Sequence, residues 1–203
     1  MGPESSMSLS TEAKQRLIGL LEVGIERSSE RLGKMSKTEW DIATSSTKEI
    51  AEDRLLVAAN AGKVPALAAR LSVRECVRAE FAVFFPEASA LAVAKAVLRD
   101  HAWGMKKVKN VLENTIGEIS NILAQSAVGA LADECETAIT LSVPTVKRGT
   151  KEALLCEFFA ECDDPEKLLL MSHVELFSGG LSAVCSLVVL FDVADLASLL
   201  EGA

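Results

Sequence analysis

Between Val108 and Leu131 the apolar residues of this chain recur at alternating spacings of three and four: Val108, Val111, Leu112, Ile116, Ile119, Ile122, Leu123, Ala127, Ala130 and Leu131. An α-helix turns about 100° per residue, so this spacing gathers them on one face. Asn114, Glu118, Asn121 and Gln125 fall within an arc of roughly 60° on the opposite face. The pattern predicts one long amphipathic helix, Glu113 to Cys135. Glu118 and Asn121 stand one turn apart on it, about 4.5 Å along the axis, and project side by side to solvent.

The same reading supplies the other elements. Residues 9–34 form a first helix, capped by Ser10 or Thr11, with Glu12 in the first turn where the helix dipole favours negative charge. Leu17, Leu20, Leu21, Gly24 and Ile25 make its apolar side. A short strand is expected at Trp40–Ala43, followed by a Ser/Thr-rich turn at Thr44–Thr47. Residues 52–59 fit strand or helix, and 60–63 a turn. Glu75–Phe85 reads as one or two strands, and Pro86 opens a helix that runs to Leu98. After the long helix come a strand at Thr137–Val143 ended by Pro144, a turn at Lys147–Thr150 and a strand at Leu154–Glu161. A break at Asp163–Pro165 precedes strands at Leu168–Phe177 and Leu181–Phe191, joined by a turn at Ser178-Gly179-Gly180. Asp192 caps a last helix over 194–200.

The two halves, about 9–100 and 101–203, repeat this order: long helix, short strand, further strands, short helix. Glu22–Ile25 (EVGI) echoes Glu118–Asn121 (EISN), and Ala82–Leu91 echoes Val188–Leu196. The expected fold is α+β. A duplicated unit forms one continuous antiparallel sheet, with two long exposed helices related by a pseudo-twofold axis. Residues 1–8 are expected to be a disordered leader and 9–203 a single domain.

Composition narrows the function. The chain has 203 residues, 49% of them hydrophobic, enough for a sizeable core. Aromatic content is only 4%, with no Tyr, which speaks against stacking platforms for single-stranded nucleic acid or sugars. The net charge is −8 and no basic stripe is long enough to follow a phosphate backbone, so nucleic acid is not an expected partner. The cysteines are Cys76, Cys135, Cys156, Cys162 and Cys185, an odd number without a C-x-x-C pair; Cys76, Cys156 and Cys185 sit in apolar, strand-like runs, as for buried free thiols in a reducing cytoplasm. His101 and His173 lack metal-ligand spacing. There is no HExxH, no phosphate-cradling glycine loop, and no Ser/His/Asp or Cys/His arrangement. No signal peptide is visible and no apolar run approaches the roughly 18 residues of a membrane span. A soluble, cytoplasmic protein is expected.

A polar arc on an amphipathic helix is ordinarily solvated surface and nothing more. Here its spacing says otherwise. Asn114, three residues, Glu118, two residues, Asn121, then 22 residues and Pro144 resembles the signature of the CheC/CheX/FliY family of chemotaxis phosphatases. In that signature the first position is Asp or Ser, so Asn114 departs from it; Glu118, Asn121, Pro144 and the later spacings match. The resemblance extends over roughly residues 8 to 203. It implies a long antiparallel sheet carrying two parallel-running helices on its outer surface. It also implies an enzyme that hydrolyses the aspartyl phosphate of a CheY-like response regulator.

By that resemblance Glu118 docks on the lysine beside the regulator's phosphorylated aspartate, and Asn121 enters the regulator's site and orients the attacking water. Asn114 supports the pair or contacts the partner without adding charge, and Pro144 fixes a strand end. The Mg²⁺ belongs to the regulator, so no cofactor of the chain's own is expected. In the first helix Glu22 is kept, but Ile18 and Ile25 stand where Asp or Ser and Asn would be, so that helix is expected to be catalytically silent. The alternative is a non-catalytic interaction protein that binds a CheD-like deamidase or a flagellar switch partner. With the sequence ending at 203, the extra motor-binding domain of a full FliY is not expected.

Overall fold

The computed structural model describes residues 9–51, 54–58, 62–98, 110–160 and 167–201. The expected leader, Asn60 and Ala61 of one turn, His101, Val108, Cys162 and the break at 163–165 lie outside the described residues. Helix α1 (Thr11–Ser36) starts where the Ser10 hydroxyl oxygen accepts the Ala13 N–H at 3.1 Å. It stops at Lys37, whose φ of 55° is left-handed and ends the helical ladder. Then follow β1 (Asp41–Glu49), α2 (Leu55–Ala58), β2 (Pro65–Val73), β3 (Ala79–Pro86) and α3 (Glu87–Leu98). The second half holds α4 (Val111–Glu134), β4 (Thr145–Thr150), α5 (Lys151–Ala160), β5 (Lys167–Ser178), β6 (Leu181–Asp192) and α6 (Val193–Glu201).

The protein is α+β. Its six described strands form one antiparallel sheet in the order β1-β5-β6-β3-β2-β4. Exchanging β1, β2 and β3 for β4, β5 and β6 turns this order into its own reverse. The two hairpins meet at the centre, where Ala82 of β3 lies opposite Val188 of β6. Both faces of the sheet are covered, and strand side chains alternate between them. Leu67, Phe81, Val83, Phe85, Leu187 and Val189 face α1, α3, α4 and α6. Ala68, Phe84, Met171 and Val188 face α5 and α2 on the other side.

Helices α1 and α4 lie together on the first face, running in opposite directions rather than parallel. Arg16 near the start of α1 pairs with Glu134 at the end of α4. Near mid-helix they touch through backbone: a Cβ on Gly24 would lie 2.4 Å from the Ser126 carbonyl oxygen and 2.7 Å from Ala127 Cα. Among the described residues no helix is long and apolar enough to cross a membrane.

The structure corrects the expected elements at five places. Thr44–Thr47 is not a turn but part of β1, with an irregularity in the pairing between Thr44 and Ser46. Pro65–Val73 is a strand that the pattern did not single out, because its run of alanines is buried on both faces and does not alternate. Thr137–Val143 is not a strand: it crosses from the end of α4 and meets β2 at one point, where Ser142 N–H donates to Ser72 O at 2.9 Å. The ladder forms only afterwards, at Thr145–Thr150, where a turn was expected. Leu154–Glu161 is not a strand either, since α5 reaches Ala160. Its buried residues Leu154, Leu155 and Phe158 follow helical spacing and close the second face of the sheet.

Candidate functional site

Solvent reaches α4 along a narrow stripe, and the expected residues stand on it. Asn114 and Glu118 are exposed and Asn121 is half-buried. Burial of Ile116, Ile119, Leu123, Ala127 and Leu131 fixes the helix's rotation and so holds that stripe outward. Among the described residues neither the Glu118 carboxylate nor the Asn121 carboxamide has a hydrogen-bond or ion-pair partner. Both groups are free to engage another molecule. Among the described residues no group of three His, Cys, Asp or Glu could hold a metal ion.

Pro144 is brought to this helix at Gly117. A Cβ there would lie 3.3 Å from Val146 Cγ2 and 3.5 Å from Pro144 Cγ. Gly117 is one turn from both Asn114 and Asn121, so Pro144 and Val146 form a wall along the stripe. Contacts at both ends hold the wall in place. Gln125, expected only as part of the polar face, donates from Nε2 to the Ile139 carbonyl at 3.4 Å. Ser142 Oγ accepts the Ser72 N–H at 3.0 Å. Arg148 of β4 pairs with Glu113 in the first turn of α4 at 3.1 Å and with Glu87 of α3 at 3.7 Å. Gly117 was not singled out from sequence. A glycine amid good helix formers costs about 1 kcal/mol relative to Ala, and that cost is the signal of a close approach.

The first helix does not repeat the stripe. The echo of Glu22–Ile25 with Glu118–Asn121 sets Ile25, fully buried, against the half-buried Asn121. The burial patterns match in a different frame: Leu17, Leu21, Gly24, Ile25, Ser28 and Leu32 run in step with Ile116, Ser120, Leu123, Ala124, Ala127 and Leu131. In that frame Gln15, Gly19 and Glu22 stand at the positions of Asn114, Glu118 and Asn121. In neither frame does α1 carry a Glu followed one turn later by Asn.

An exposed carboxylate one turn from a carboxamide can bind a cation and orient a water. No protein-family model matches the chain, and no curated protein matches its sequence. Solved structures do match. FliY of Thermotoga maritima aligns with 97% of this chain and 98% of its own at 15% identity, with a TM-score of 0.72. The FliM middle domain of H. pylori aligns with 96% of this chain and 100% of its own at 10% identity and a TM-score of 0.65. The chemotaxis protein CheX of Desulfovibrio desulfuricans aligns with 86% and 99% at 12% identity and a TM-score of 0.54. The chain has the CheC/CheX/FliY fold.

Proposed function

We propose that this protein works in chemotaxis signalling in the cytoplasm, as a phosphatase of a phosphorylated CheY-like response regulator. The observation that carries this reading is the uncommitted Glu118–Asn121 pair, one turn apart on the open stripe of α4, on this fold. An aspartyl phosphate is a labile mixed anhydride, so the catalyst need not supply a strong base. Its task is to place a water in line with phosphorus, as the water-positioning Gln of small GTPases does. The Asn121 amide oxygen accepts a hydrogen bond from that water and its NH₂ donates. The water oxygen bonds to phosphorus, and the P–O bond to the aspartate breaks. The electron pair leaves with the carboxylate, and the water's proton ends on phosphate or solvent. Glu118, whose charge the phosphate repels, docks on the regulator's lysine beside the phosphorylated aspartate. The Mg²⁺ is the regulator's, and the chain brings no cofactor. Asn114 supports the pair, and Pro144 sets the wall beside it.

The test is phosphate release from a phosphorylated CheY-like regulator with wild type, Asn121→Ala and Glu118→Ala. Wild type accelerates release. Asn121→Ala loses the acceleration, by about 10²-fold or more for a lost water-positioning group, yet still binds, whereas Glu118→Ala loses binding. If wild type adds nothing to the regulator's own rate, the second reading takes over. It is a binding protein for a CheD-like deamidase or a flagellar switch partner, favoured by the likeness to the FliM middle domain.

A further inference from the structure

Asn121 stands between the two points at which the crossover after α4 touches that helix. One turn before it, Gly117 meets Pro144 and Val146. One turn after it, the Gln125 Nε2 donates to the Ile139 carbonyl at 3.4 Å. Gly117 and Gln125 are separated by about 12 Å of helix axis, and the chain from Ile139 to Pro144 reaches about 16–18 Å when fully extended. The crossover therefore has little slack and runs along the helix past Asn121. Its far side is fixed. The Ile139 side chain is buried in the core, the Ser142 N–H donates to Ser72 O at 2.9 Å, and Ser142 Oγ accepts the Ser72 N–H at 3.0 Å. Exposure records the packing: Glu118, turned about 60° from Asn121 around the helix, is exposed, and Asn121 is half-buried.

We infer, on the phosphatase reading of the Glu118–Asn121 pair, that Gln125 is a positioning residue for Asn121. Among the described residues the Asn121 carboxamide has no hydrogen-bond partner, so packing against the crossover is what limits its rotation. The Gln125 side chain fastens that crossover to α4 on the Asn121 flank. A carboxamide that places a water loses rate steeply with small displacements, and about 1 Å can cost about 10²-fold. Gln125 acts through the crossover and not on the reacting atoms. It therefore governs turnover, whereas binding of the regulator is carried by Glu118. A Glu at this position has nearly the same shape but only accepts, so it turns away from the Ile139 carbonyl and releases the contact. A Lys still donates and is long enough to reach it.

The test compares wild type, Gln125→Glu and Gln125→Lys in two measurements on the full chain. The first is the ¹H–¹⁵N NOE of the Asn121 side-chain amide, assigned as the NH₂ pair that Asn121→Ala removes, with the exposed Asn114 amide as internal reference. In wild type the Asn121 value lies above that of Asn114. Gln125→Glu brings it down to the Asn114 value, and Gln125→Lys keeps it at the wild-type value. The second is phosphate release from a phosphorylated CheY-like regulator. Gln125→Glu lowers kcat by about tenfold or more and leaves KM within about twofold, and Gln125→Lys keeps kcat within about threefold of wild type. An unchanged NOE in Gln125→Glu, a loss confined to KM, or an equal loss in both variants would each overturn the positioning role. If wild type adds nothing to the regulator's own rate, the phosphatase reading fails, and the NOE alone decides whether Gln125 restrains Asn121.

Discussion

Replacing Gly24 with Ala should destabilise the protein, whereas the same change at Gly19, in the same helix, should stabilise it. In a helix interior Ala is better than Gly by about 0.8–1 kcal/mol. At Gly19 a new Cβ meets nothing within 4 Å, so nearly all of that gain is realised. At Gly24 the Cβ would sit 2.4, 2.7 and 2.9 Å from Ser126 O, Ala127 Cα and Ala127 O. All three are backbone atoms of α4 and cannot rotate away, so the helices must separate. Overpacking costs about 1–3 kcal/mol, sometimes more; against backbone atoms the upper part of that range, about 2–3 kcal/mol, applies and outweighs the propensity gain by about 1–2 kcal/mol. For a chain of this size each kcal/mol moves Tm by roughly 2–4 °C. Gly19→Ala should therefore raise Tm by about 2–4 °C and Gly24→Ala lower it by about 2–8 °C. Urea unfolding followed by far-UV circular dichroism measures both, with the m-value unchanged. A Gly24→Ala protein as stable as wild type, or more so, would refute the close helix contact.

Two further outcomes follow from the charged and thiol groups. The Arg78 side chain donates to Asp195 Oδ2 at 2.7 Å and its backbone N–H donates to the same oxygen at 3.0 Å, which holds the Asp195 carboxyl below its ordinary value of about 3.9. With the folded value depressed, the unfolded chain takes up the proton first as pH falls. The contribution is fully present above about pH 5 and is lost on the way down through the folded value, so Arg78→Ala should flatten the acid limb of a stability–pH curve between about pH 5 and pH 2. Burial pushes the Cys185 thiol far up, whereas Cys76 and Cys156, expected from their apolar surroundings in the sequence to be buried, are exposed. Iodoacetamide at about pH 8 should label Cys76 and Cys156 in the native protein and reach Cys185 only after unfolding, read by peptide mass mapping; labelling of native Cys185 would contradict its burial.

Periodicity made the helices that bury one stripe legible: α1, α3, α4 and α6 were all expected, and Asp192 does cap the last, accepting the Asp195 N–H at 3.0 Å. The β5–β6 hairpin was equally plain. The second face of the sheet was not. Helix α5 carries Phe158, Phe159 and two leucines in a short run, a composition shared with strands, and its role is visible only once the sheet's far side needs a cover. Strand β4, TVKRGT, looks like a turn because an edge strand with one neighbour can be polar. For the site, helix rotation alone placed Asn114, Glu118 and Asn121 outward. The wall was out of reach, because nothing local says that Pro144 and Val146 come down on Gly117.

The two strands at the ends of the sheet bear on how copies of this chain behave at high concentration. An open strand edge is a template for another chain's strand. Here β1 is broken in register between Thr44 and Ser46 and ends in Lys48 and Glu49, and β4 is six residues long with Lys147 and Arg148 exposed. Irregularity at one margin and charge at both discourage strand addition, so the sheet resists growing into ribbons or fibrils. Aggregation of this protein would then start from loss of the fold rather than from contact between folded molecules.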